Sequence, residues 1–172
     1  MPWELTAIKY DGAPPQYTRE IDPARQLPLG PCDTVREWIS SALPEITWSR
    51  EPSLAETSCR LGMELPDCWD EDTRRLAAMS KWRGQFESEN LFVEVYGLYD
   101  GVHIRSFEIE VRGTADPIPC LQKLCEKPKW TLAEVGTDGQ CLEFDSNASR
   151  RWNDFRNWVQ DAVDHLQSDD SE

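Results

Sequence analysis

The chain has 172 residues, with 32 Asp and Glu against 18 Lys and Arg, a net charge of −14. That length suits one domain with a sizeable core, and an apolar share of 39% with eight tryptophans excludes a disordered polymer. No apolar run is long enough to span a bilayer, and clustered Lys and Arg for a phosphate backbone are lacking, so neither membrane nor nucleic acid is the expected partner.

The opening MPWELTAIKYDG has neither a basic start nor an apolar h-region, so no secretory signal is expected and a cytoplasmic location follows. Cytosolic thiols stay reduced, and none of the six cysteines (Cys32, Cys59, Cys68, Cys120, Cys125, Cys141) sits in a C-x-x-C pair. With only His103 and His165 to join them, they read as small buried apolar groups. Neither a metal nor another cofactor is implied.

In chain order, residues 3–10 alternate (Trp3, Leu5, Ala7 against Glu4, Thr6) and predict a strand. Residues 11–31 hold five prolines and two glycines and predict an irregular surface connection. Thr34 and Glu37 have capping-box spacing, Val35, Trp38, Ile39 and Ala42 then recur at helical spacing, and Pro44 ends that helix. A short strand is expected at 46–49. Residues 50–90, with Pro52, Gly62, Pro66, Gly84 and the acidic run Asp67-Cys68-Trp69-Asp70-Glu71-Asp72, predict an irregular insertion with one short helix over 73–81.

The runs from Leu91 to Tyr96 and up to Arg112 predict two strands joined by a tight turn at Asp100-Gly101. The second strand places Phe107, Ile109 and Val111 on a dry face and Glu108, Glu110 and Arg112 on a wet one. Asp116-Pro117 predicts a helix start, with Ile118, Leu121, Leu124 and Cys125 as its apolar stripe and Pro128 as its stop. Residues 130–135 and 140–144 flank the turn signal Thr137-Asp138-Gly139. A final helix from about Ser149 carries Trp152, Phe155, Val159, Val163 and Leu166 on one face, with His165 near its end, and an acidic frayed tail over 168–172. Strands and helices mix without strict alternation, so the expected class is α+β: a single domain over 1–172, an antiparallel sheet with helices on one face. A ferredoxin-like arrangement is one option.

Motifs for phosphate-cradling loops, nucleophile elbows and zinc proteases are missing from the sequence. The pointed segment is Val111-Arg112-Gly113-Thr114-Ala115-Asp116-Pro117, where Arg112 and Gly113 precede a helix start capped by Asp116. This combination suggests either an anion site or a simple strand-to-helix turn. Trp3-Glu4-Leu5, the stretch from Val35 to Trp48, EIEVRGTADP at 108–117 and Lys129-Trp130 resemble a group of small bacterial proteins in which a helix and a tryptophan precede a strand ending V-R-G-x-x-D-P. Lys129-Trp130 departs from that group's Gly-Trp step, and residues 50–90 are longer. Small acidic α+β proteins of this kind are similar to immunity proteins of bacterial toxin systems, which implies a toxin-neutralising role.

Two kinds of function stand side by side. One is a non-enzymatic cytosolic module whose acidic surface docks a basic protein, with Asp67, Trp69, Asp70, Glu71 and Asp72 as contacts. The alternative is a small enzyme using His103, Arg112 and the carboxylates Glu94, Glu108 and Glu110, or a housekeeping protein of another kind.

Overall fold

The computed structural model describes residues 2–135, 139–145 and 147–169. The elements are β1 (Trp3–Tyr10), β2 (Gln26–Leu27), β3 (Gly30–Pro31), α1 (Cys32–Ala42), β4 (Thr47–Glu51), α2 (Leu54–Arg60), α3 (Glu71–Ala77), β5 (Lys81–Ser88), β6 (Leu91–Tyr99), β7 (His103–Ile104), β8 (Ser106–Gly113), α4 (Ile118–Glu126), β9 (Thr131–Glu134) and α5 (Ala148–Asp169). Among the described residues, seven strands form one antiparallel sheet in the order β2-β1-β8-β6-β5-β4. β9 lies beside β2 on the outer edge of β1. This is the α+β architecture expected from the sequence. Every pairing is antiparallel, so the sheet lacks the parallel split β-α-β unit of a ferredoxin-like arrangement.

Strand alternation sorts the side chains. Leu5 faces Ile109, Val95 faces Ile109 from the other side, and Trp3 and Val93 both face Val111. These residues and the buried stripes of α1, α4 and α5 make one core cluster, which places those helices on the same face. Phe107 meets Trp130 edge-on at 5.2 Å, and Trp3 meets Trp152 of α5 at 5.6 Å. No residue of α2 or α3 belongs to that cluster.

Four local expectations need correction. The region 50–90 is not an irregular insertion throughout: β4 runs to Glu51 and β5 is a full inner strand, so the inserted part is 52–80 and holds α2 as well as α3. The expected helix over 73–81 begins two residues earlier and ends at Ala77, because Asp70 accepts the Thr73 N–H at 2.7 Å and caps it. α1 starts at Cys32 rather than behind a Thr34 cap, because Gly30 and Pro31 pair with β7 and turn the chain directly into the helix. Asp100-Gly101 is not a two-residue link between paired strands. The ladder of β6 with β8 stops at Tyr96–Glu108, and β7 leaves to pair with β3.

The tight hairpin is instead Glu89-Asn90, with Asn90 at φ 61° between the paired Ser88 and Leu91. The second expected hairpin survives as a bridge between Ala133 and Cys141, although Thr137-Asp138 of its turn lies outside the described residues. α4 begins at Ile118, whose N–H is taken by Asp116 Oδ1 at 3.0 Å, close to the expected cap. α5 continues to Asp169, into the tail expected to fray. Residues 170–172 and the side chains of Val163, His165 and Leu166 lie outside what is described.

Gly113 ends β8 at φ 116°, and a Cβ there would sit 2.2 Å from the Asn90 carbonyl oxygen. That oxygen accepts from both Thr114 and Ala115, so the turn has no room to yield. Gly113→Ala is expected to lower stability by about 1–3 kcal/mol in urea unfolding. An unchanged midpoint contradicts this reading.

Candidate functional site

The polar face of the sheet collects acids by register. Glu4 and Glu94 stand directly opposite Glu110 from either side, and Glu108 stands opposite Thr6 and Tyr96. Like charges at directly opposed positions repel, so this row needs compensation. Arg112 pairs with Glu110, and Thr6 Oγ1 donates to Glu108 at 2.7 Å. Glu94 is only 2% exposed. Its Oε1 accepts from Arg83 Nε at 2.5 Å and from Gln85 Nε2 at 3.0 Å, and Arg83 also reaches Glu51 at 3.5 Å. Burial pushes the Glu94 carboxyl up, but the Arg83 and Gln85 hydrogen bonds outweigh it and hold the group below its ordinary value. Tyr96 lies beside this row. Burial, then Glu110, Glu108 and Glu4, push its phenol up to about 12.

The inserted segment has a different character. Ser53 and Glu56 form a reciprocal capping box for α2, at 3.0 and 2.8 Å, and Ser80 adds a bond to Glu56 at 3.3 Å just before β5. The start of α2 is thereby tied to the residue that enters β5. Between α2, α3 and β5 lies a groove of about 270 Å³ lined by Pro52, Leu54, Trp69, Leu76, Met79 and Tyr99 among others. Leu54 and Leu76 remain 50% and 49% exposed, and Leu61 and Met63 in the following connection are exposed as well.

The residues expected to contact a partner divide into two groups around this groove. Trp69 is half-buried in its wall rather than a freely exposed anchor, because the segment folds back over α3. Asp70 is committed to capping α3, and Asp72 pairs with Arg75 at 3.2 Å. The side chains of Asp67 and Glu71 are exposed and have no ion-pair or hydrogen-bond partner among the described residues, and Glu64 is in the same position. The groove residues contributed by Leu54, Leu76, Met79 and Tyr99 were not expected from the sequence.

The other expected residues do not converge. Arg112 turns to Glu110 and covers the Phe92 ring at 5.9 Å, while Asp116 turns to the Ile118 N–H and to Ser149 Oγ at 2.6 Å. The carboxylate of Asp116 thus occupies the helix start where an anion was expected. His103 is exposed on β7 beside β3 and has no hydrogen-bond or ion-pair partner among the described residues. The glutamates lie instead on the polar face of the main sheet. Cys32, Cys125 and Cys141 are buried and Cys120 partly so, with burial raising all four thiols, whereas Cys59 and Cys68 are exposed. No helix among the described residues is long and apolar enough to cross a membrane. No family model, curated protein or solved structure matches the chain.

The Glu94 network sets a pH dependence. A carboxyl held low when folded stabilises above its unfolded value, ordinarily 4.5, and that contribution is lost as pH falls through the lowered folded value. Glu94→Gln is expected to cost roughly 1–3 kcal/mol at neutral pH and to flatten the loss of stability below about pH 4.5. Urea midpoints across pH 3–7 check this. An acid limb as steep as in the parent contradicts it.

Proposed function

We propose that this protein is a docking module that binds a basic protein through the inserted segment. The observation that carries the reading is the apolar groove around Trp69, whose one charged lining residue, Lys81, is paired with Glu51, in a segment where Asp67 and Glu71, two residues before and after Trp69, are exposed and unpaired among the described residues. A half-buried aromatic among aliphatic side chains, within a charged segment, is the arrangement in which a few central residues supply most of the affinity. Residues 51–80 hold seven Asp and Glu against three Arg, so the surrounding charge steers a positive partner and repels a negative one. The complementary surface is a cationic segment with an apolar stripe. Neutralising a basic toxin, as immunity proteins do, fits this description, and the sequence resemblance points the same way.

A defined probe tests it: an amphipathic peptide with leucines on one helical face and lysines on the other, compared with a peptide of equal charge without the leucines. The leucine-bearing peptide is expected to bind more tightly and to weaken as salt is raised. Trp69→Ala is expected to reduce its affinity at least roughly tenfold. The double reversal Asp67→Lys and Glu71→Lys should also weaken it, with a stability loss of no more than about 1 kcal/mol, since neither side chain has a partner and Glu71 acts only through the N-terminal turn of α3. Equal binding of both peptides, or no effect of either variant, contradicts the proposal.

A further inference from the structure

A second cleft, of about 390 Å³, lies between the end of β8 and α5. Arg112, Thr114, Trp152, Phe155, Arg156 and Gln160 line it with three further residues, and among the described residues none of its walls carries a carboxylate, in a chain with 32 acids. Arg112 is neutralised by Glu110. Arg156 donates Nη1 to the Thr114 carbonyl at 2.9 Å, which holds its guanidinium against the end of β8, and it forms no ion pair among the described residues. Its other N–H groups remain available to an anion.

The wall beside Arg156 is aromatic. Trp152 stacks on Phe155 at 5.9 Å, and Trp158, 55% exposed, continues the series 6.2 Å further out. Trp152 itself is 2% exposed, and its indole N–H has no hydrogen-bond partner among the described residues. The cleft volume is in the range of small-molecule sites, and its wall combines ring surface with a few polar groups, as such sites do.

The geometry points to a binding site for a planar aromatic anion, a ring bearing one carboxylate or one phosphate, with the ring against Phe155 and the anion on Arg156. Thr114 supplies a hydroxyl donor beside Arg156. Gln160 donates its Nε2 to Asp164 at 2.8 Å, so that end of the cleft faces the ring and not the anion. This site is independent of the groove around Trp69.

The test titrates phenyl phosphate and benzoate, which share one ring, into the full chain while observing the tryptophan indole N–H resonances, with phenol and inorganic phosphate as the ring-only and anion-only controls. Saturable shifts of the Trp152 indole resonance are expected with the aromatic anions, and at least roughly tenfold weaker binding of both controls. Whichever aromatic anion binds more tightly identifies the preferred charged group. Arg156→Gln should weaken binding at least roughly tenfold. Since that change also removes the bond to Thr114, Asn157→Asp provides a second variant, placing a negative charge in the wall at an exposed position, and should have the same effect. Trp69→Ala should leave this binding unchanged. The inference is overturned if no probe saturates up to about 10 mM, if phenol binds as well as phenyl phosphate, or if Asn157→Asp binds like the parent.

Discussion

β1 is the strand on which the rest of the architecture depends. It pairs with β8 along six residues on one side and with β9 and β2 on the other, and β8 and β9 lie about a hundred residues or more along the chain. Pairing over such a separation has to overcome loop-closure entropy before any contact compensates for it. The inward residues Trp3, Leu5 and Ala7 offset that cost, each of the larger ones contributing about 1.5–3 kcal/mol when fully buried. Trp3 does more than fill space. Its contacts with Trp152 and Phe155 dock α5 on the sheet, and the cleft beside α5 exists because of that docking.

The second constraint runs along β5. Among the described residues the buried polar side chains are Ser53, Ser80 and Glu94, and all three belong to networks that border this strand. Ser53, Glu56 and Ser80 fasten α2 at its start, while Arg83 and Gln85 hold Glu94 in its middle. A buried carboxylate is tolerated only when its hydrogen bonds are complete, and here a guanidinium and an amide complete them. β5 therefore links the helix-covered sheet to the segment that presents the Trp69 groove, although Trp69 itself stands in the connection between α2 and α3.

The sequence made the outer logic legible and hid the rest for identifiable reasons. Alternation in β1 and β8 and helical spacing in α1, α4 and α5 are properties of single segments, and they predicted those elements closely. β5 escaped because Gly84 read as a breaker of an irregular insertion, although it stands at a buried position of a full strand. The structure shows why: a Cβ there would lie 2.7 Å from Ile46 Cδ1 and 2.8 Å from Trp48 Cζ3, so the neighbouring strand fills the space that a side chain would occupy. The capping-box pattern occurs at both Thr34–Glu37 and Ser53–Glu56. Tertiary pairing of Gly30 and Pro31 overrides the first, while the second forms both reciprocal bonds. The acidic run 67–72 was visible as charge, but not the division of its members between structural bonds and free acids. Nor was the groove visible, since its apolar lining comes from α2, α3, the approach to β5 and the far end of β6.

The molecule thus separates its roles by surface: a covered face for stability, an acidic face balanced by arginines, and an apolar groove with unpaired acids beside it. Hydrogen exchange with a bound protein partner most directly tests whether that groove is where the protein works. A basic protein captured at low salt from the source cells, purified and added back, is predicted to slow exchange over residues 52–80 while leaving the polar faces of β1 and β8 unchanged. Protection confined to those strands, with residues 52–80 exchanging as in the free protein, would contradict the account.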